Sequence, residues 1–213
     1  MRIGILGTGD VGRALGGGFL ALGHEVKMGA REAGNAKAAA FAREAGGRAS
    51  AGTFADAARF GEIAVLATLG TATEAIVGEL AGELAGKLVW DATNPLDFSG
   101  GFPPRLAIHG EDSLGERLQK LAPAAAVVKV FNTVGNALMF RPDLPGGPPT
   151  MFIAGDDPQA KMRTEVLLAD FGWQSADAGD IRSSRYLEAM CMVWVLTAAK
   201  TGNWNQAFKL LAK

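Results

Sequence analysis

The chain predicts an α/β fold: a doubly wound, mostly parallel sheet with a small C-terminal α/β-helical extension. Three observations carry this. Short apolar runs alternate with helical patterns through the first three quarters of the sequence, as βαβ units require. A glycine-rich turn, "GTGDVGRALGGG" from Gly7 to Gly18, follows the first apolar run directly and leads into a helical pattern. The 213 residues are 48% hydrophobic and 20% charged, enough to bury a substantial core near the size where one domain becomes two.

Taken in order, strands are expected near Arg2–Leu6, Glu25–Met28, Arg48–Ala51, Ile63–Ala67, Leu88–Asp91 and Val127–Phe131. Helices are expected between them near Val11–Leu22, Asn35–Ala45, Phe54–Arg59, Thr73–Leu84 and Ser113–Leu121. The segment from Arg141 to Pro149 is dense in proline and glycine and reads as a linker, dividing a nucleotide-binding domain of residues 1–140 from a smaller domain of residues 150–213. Beyond it come a strand near Met151–Ala154 and a helix opened by Asp157 as N-cap and Pro158, stopped by Gly172. A last strand near Trp173–Ala176 follows, then helices over about Arg182–Ala199 and Trp204–Leu211.

Charge and composition narrow the function. The 21 basic and 22 acidic residues leave a formal charge of -1 with no long run of either sign, so neither nucleic acid nor an anionic membrane is an expected partner. A small molecule is. The single cysteine, Cys191, lies among apolar neighbours and reads as a buried, inert thiol. The N-terminus lacks the layout of a signal peptide, and the longest apolar run, Ala189–Ala199, is too short to span a bilayer. A cytoplasmic protein is expected.

The glycine turn is the most specific feature. Gly7, Gly9 and Gly12 stand in the G-x-G-x-x-G spacing between a strand and an apolar-periodic helix, which makes the sheet Rossmann-type and its ligand a dinucleotide. Gly7 permits a sharp turn, Gly9 lets a pyrophosphate approach the backbone, and Gly12 lets the helix pack close. The N–H groups of Gly9, Asp10 and Val11, with Thr8 beside them, would face the phosphates at a helix N-terminus. At the end of the second strand, Met28-Gly29-Ala30-Arg31-Glu32 places no carboxylate where an NAD site usually has one. Arg31 can instead clamp a 2′-phosphate, which favours NADP, with Lys37 as a second positive charge. Glu32 keeps NAD open as an alternative.

Ligands of open α/β sheets lie beyond the carboxyl ends of the strands. There the sequence sets Thr68-Leu69-Gly70, Thr93-Asn94-Pro95-Leu96 and Asn132-Thr133, small or uncharged residues suited to a nicotinamide amide and ribose. The two histidines, His24 and His109, lie in settings that suggest neither a base nor a metal ligand, and no metal cluster or nucleophile elbow is visible. No catalytic acid, base or metal is expected. Hydride transfer by positioning alone fits this inventory, and the short C-terminal segment leaves room for a second redox ring rather than a deep substrate pocket.

Three stretches, "GTGDVGRALGGGFLALGHEVKMGAR", "VVKVFNTVGNAL" and "DAGDIRSSRYLEAM", resemble the family of NADP oxidoreductases dependent on the deazaflavin coenzyme F420, and the related cytosolic reductase domain of six-transmembrane metalloreductases. The resemblance implies NADP with Thr8, Gly9, Asp10 and Val11 on the pyrophosphate and Arg31 on the 2′-phosphate. Ala30 stands where the family commonly has a serine. It also implies an acceptor cleft between the sheet edge and the C-terminal helices, with Asn132, Thr133, Ser183, Ser184 and Arg185 as neighbours. The implied activity moves hydride between NADPH and a flavin-like acceptor, F420 or a flavin such as FMN or FAD. Two alternatives stand beside it: an NADPH-dependent reductase of a small carbonyl, imine or metal chelate, and a non-catalytic NADP(H) sensor. The helix Tyr186–Ala199 is apolar around most of its circumference, which predicts burial in the core or in a homodimer interface formed by the C-terminal helices.

Overall fold

Alternation of side chains sets the first strand: Ile3 and Ile5 point to one face of the sheet and Leu6 to the other, and all three are fully buried. In the computed structural model, which describes residues 1–212, this strand is β1 (Arg2–Leu6). It is followed by α1 (Asp10–Ala21), β2 (Glu25–Ala30), α2 (Ala36–Ala45), β3 (Ala49–Thr53), α3 (Phe54–Phe60) and β4 (Ile63–Leu66). Next come α4 (Gly70–Glu79), α5 (Ala81–Leu84), β5 (Leu88–Asp91), a two-stranded antiparallel hairpin of β6 (Leu96–Asp97) and β7 (Arg105–Leu106), α6 (Leu114–Leu121) and β8 (Ala126–Lys129). After the proline-rich loop the chain forms β9 (Thr150–Gly155), α7 (Pro158–Asp170), β10 (Gln174–Asp177) and α8 (Ser184–Thr201).

The sheet is doubly wound, in the order β10-β9-β8-β5-β4-β1-β2-β3. Every neighbouring pair in it is parallel except β8 and β9. The residues beyond the loop thus extend the same sheet by two strands and return α8 over it. Helices cover both faces, so the inner strands are buried on both sides and read as continuous apolar runs, as in Ile63–Leu66. One core holds Phe19, Trp90, Phe131 and Phe171, whose rings meet at 4.9 to 6.0 Å. The Trp90 indole N–H donates to Thr164 Oγ1 at 2.9 Å, so this large ring is buried without an orphaned donor. The opposite core packs α3 to α6 on Leu66, Val89 and Val127.

Two expectations change. The segment Trp204–Leu211 is not helical: α8 ends at Gly202 in the left-handed conformation (φ 71°), and Asn203 Oδ1 accepts from the Asn205 N–H at 2.9 Å to form a turn. The chain then runs back along the start of β9, where the Thr150 N–H donates to Phe208 O at 2.9 Å and the Leu210 N–H to Thr150 Oγ1 at 3.1 Å. The helix expected over Thr73–Leu84 starts earlier, at Gly70, and breaks at Leu80 into α4 and α5.

Candidate dinucleotide and acceptor site

The carboxyl ends of β1, β2 and β4 open onto one cavity of about 680 Å³. Its floor is the glycine turn. Gly7 takes φ 132°, and a Cβ there would collide with the Ala67 carbonyl, so only glycine can close this turn. Its N–H is tied to Gly29 O at 3.1 Å, which locks the turn to β2. Gly9 is the N-cap of α1 and supplies no side-chain cap, and a Cβ built on it meets nothing within 4 Å. The first-turn N–H groups of α1 therefore face open space at the positive end of a twelve-residue helix. That is the arrangement an anion needs.

Gly7, Thr8, Gly9, Asp10, Val11, Ala30, Arg31, Thr68 and Leu69 all line this cavity. Gly12 is buried below it, against the Gly7 carbonyl. Arg31 is exposed and forms no salt bridge among the described residues, so its guanidinium is free at the β2 end. Lys37 stands apart: it is exposed in the first turn of α2 and is not on the cavity wall. The wall also includes Asn35, Phe54, Ala72, Ile76 and Asn136, which the sequence pattern does not single out. Phe54 opens α3 directly after β3, where Thr53 and Asp56 form a capping box. That Thr-x-x-Asp spacing is the one local signal that could have placed its ring.

Asn94 lines a neighbouring cavity of about 410 Å³, which shares Thr68 and Leu69 with the first. Pro95 is buried beside it. The Asn94 amide is fixed by a reciprocal pair: Asn94 Nδ2 donates to Asn132 O at 2.8 Å, and Asn132 Nδ2 donates to Asn94 Oδ1 at 3.0 Å. Asn132 Nδ2 also reaches Leu187 O on α8 at 2.9 Å. The five residues expected at an acceptor cleft are mostly committed elsewhere. Asn132, Thr133 and Ser184 are buried, Ser183 Oγ donates to Ala178 O at 2.7 Å, and Arg185 holds Glu116 through two hydrogen bonds of 2.7 and 2.6 Å. The Arg185 guanidinium keeps the Glu116 carboxyl below its ordinary range against the opposing effect of burial, with Ser113 adding a further hydrogen bond.

Beneath this edge lies a buried ionic cluster invisible to sequence spacing. Lys129 Nζ lies 2.6 Å from Asp91 Oδ2 and 2.8 Å from Glu188 Oε1, and donates to Thr93 O at 3.1 Å. Glu188 in turn accepts from the N–H groups of Leu114 and Gly115 at 3.0 Å each, at the start of α6. Burial alone would lower the Lys129 pKa, but the two carboxylates outweigh it and raise it. Burial pushes the nearby Cys191 thiol up to about 12, so it stays protonated.

These features have relatives. Residues 2–95 match the family model described as NADP oxidoreductase, coenzyme F420-dependent. The crystal structure of a candidate F420-dependent NADP-reductase from Arthrobacter sp. FB24 superposes over 100% of both chains with a TM-score of 0.93 and 37% identity. The chain belongs to the F420-dependent NADP oxidoreductase family. It is 29% identical over 191 residues to the rat metalloreductase STEAP3, a match covering 89% of this chain and 36% of that protein. It is 28% identical over 136 residues to the F420-dependent NADP reductase of Methanocaldococcus jannaschii, covering 63% of this chain and 61% of that one. The chain thus spans about a third and about three fifths of these two relatives. No helix among the described residues is long and apolar enough to cross a membrane.

Proposed function

We propose that the chain binds NADP(H) in the larger cavity and transfers hydride between it and a flavin-like acceptor, with F420 as the leading candidate. The single observation that carries this reading is the open glycine turn at an uncapped helix N-terminus, facing one cavity with the unpaired Arg31 at its far end. The residues present fit the cofactor. The α1 amides would hold the pyrophosphate, Arg31 the 2′-phosphate, and Thr8, Thr68 and Asn136 would line the path toward the nicotinamide. Bound NADPH supplies a hydride and is left as NADP+, while the acceptor gains two electrons and, with a proton from solvent, two hydrogens. The protein's part is to align two rings and exclude water. The family to which the chain belongs supports F420.

We also propose a homodimer through α8. Tyr186, Val193 and Leu196 are 74%, 54% and 48% exposed on this helix, and no other described element covers them. Light scattering tests the pairing: a mass of twice 22.1 kDa is expected, and a monomer at micromolar concentration rejects it.

Calorimetry with NADPH and NADH tests the cofactor reading. NADPH is expected to bind at least tenfold more tightly, and no heat with either coenzyme would overturn it. Stopped-flow mixing of NADPH-loaded protein with F420, FMN and a cyclic imine tests the acceptor. Turnover with the imine alone would replace the flavin-like reading.

A further inference from the structure

Past the end of α8, residues 203–210 form an irregular strap that is fixed along its length by groups from three parts of the fold. The Trp194 indole N–H on α8 donates to Gln206 O at 2.8 Å, and Gln206 Nε2 donates back to Trp194 O at 3.0 Å. Phe208 packs on the buried cluster of Cys191, Trp194 and Val195, and its carbonyl takes the Thr150 N–H at the start of β9. Lys209 Nζ donates to Gly146 O at 2.8 Å and to Pro148 O at 2.9 Å, which ties the strap to the proline-rich loop. So many fixed points on so short a segment hold Trp204 in one place. Its ring meets that of Trp194 edge to face, with centroids 5.6 Å apart.

Trp204 is 46% exposed, so burial in the core does not account for its position. What it covers is Gly135. A Cβ built on Gly135 would lie 3.2 Å from Trp204 O and 3.3 Å from the Trp194 ring, so the main chain there is pressed directly on the strap. Gly135 has φ -75° and ψ 150°, a conformation open to any residue, and the close approach is therefore the reason for glycine. The same residue opens the short 3₁₀ turn Asn136–Leu138. At the far end of this turn Leu138 and Met139 are buried, and Met139 O accepts from Trp173 Nε1 at 3.0 Å. Asn136 thus stands between an anchor in the core and an anchor in the strap, on the wall of the larger cavity together with Gly9 and Thr68.

We infer that Trp204 is a positioning residue of the dinucleotide site: through Gly135 it holds Asn136 at the nicotinamide end of the cavity. The inference rests on the NADP(H) reading and adds a dependence that the glycine turn does not have. The phosphates fall to α1 and Arg31, which are set by the exits of β1 and β2 rather than by the strap. The half of the dinucleotide that reaches Asn136 is the half the strap controls.

Adenosine 2′,5′-bisphosphate carries the 2′-phosphate but no nicotinamide, so it separates this role from a general loss of structure. In calorimetry, Trp204→Ala is expected to weaken NADPH about fivefold, the scale of one lost hydrogen bond, and to leave the bisphosphate within about twofold. Trp204→Phe keeps an aromatic ring and is expected to restore NADPH binding. Gly135→Ala displaces the strap without backbone strain and should reproduce the selective loss. Adding Trp204→Ala to Asn136→Ala should cost nothing more, because the two residues act in series. Equal losses for the two ligands, whether through unfolding seen in thermal melting or otherwise, overturn the inference. So do NADPH binding indifferent to Trp204→Ala and additive losses in the double variant. Wild-type protein that binds neither ligand rejects the NADP(H) reading instead.

Discussion

Lys129 and Asp91 are direct partners in the ladder between β8 and β5, and their side chains meet at 2.6 Å with neither accessible to solvent. A charge pair in that position is costly to break from one side, because the survivor is left buried and unpaired. Lys129→Met would strand two carboxylates, Asp91 and Glu188. It is expected to cost about 3–5 kcal/mol in urea unfolding at neutral pH. The folded pKa of Lys129 is raised above 10.5, so its contribution is fully present below pH 10.5 and is lost as pH rises through the higher folded value. Wild-type and variant stabilities are therefore expected to run parallel below pH 10.5 and to converge above it, and convergence that sets in well below pH 10.5 would refute the assignment.

Glu116 predicts the opposite limb. Its folded pKa lies below the ordinary 4.5, so the stability it adds with Arg185 is present above pH 4.5 and fades as pH falls through the lower folded value. Glu116→Gln is expected to be about 1–3 kcal/mol less stable at pH 7, the scale of hydrogen bonds to charged groups. Acid titration of both proteins should bring the curves together well below pH 4.5.

The two turn glycines separate folding from binding. Gly7→Ala meets both a φ of 132° and the Ala67 carbonyl, so a large fall in melting temperature is expected. Gly9→Ala meets nothing within 4 Å and should melt like the wild type. Its methyl group would stand where the phosphates approach α1, and NADPH affinity is expected to drop at least tenfold. Calorimetry paired with thermal melting distinguishes the two outcomes.

Arg31→Ala is expected to weaken NADPH by about 1–3 kcal/mol and leave NADH within twofold. Equal losses for both coenzymes would remove Arg31 from the 2′-phosphate.

Cys191, with its thiol near 12 and 4% exposure, should resist a thiol reagent at pH 8 until the protein unfolds. Labelling of the native protein at the rate of a free thiol would contradict its burial.

What could be read from the chain follows the range of each interaction. The glycine turn, Arg31 and the alternation of strands are local patterns, and the structure places the turn and Arg31 on one cavity. Phe54 and Asn136 reach that cavity only because β3 and the segment after β8 end at the same edge, which no spacing encodes. Lys129 reads in sequence as one polar residue in a strand, and nothing nearby names Asp91 or Glu188 as its partners. The apolar spacing of Trp204–Leu211 mimics a helix. Two of its backbone groups instead pair with Thr150, a residue far away in the chain.

The reversal at β9 reaches beyond the sheet itself. Because β9 runs against β8 and β10 follows it, both of these strands finish at the rim opposite the dinucleotide cavity. The chain regains the working rim through α8, by way of Glu188 on Lys129 and the Leu187 carbonyl on Asn132. A truncation just before Ser184 would keep all eight strands of the main sheet yet detach the β8 exit from its outer brace, so the last helix acts less as a lid than as a tie-rod.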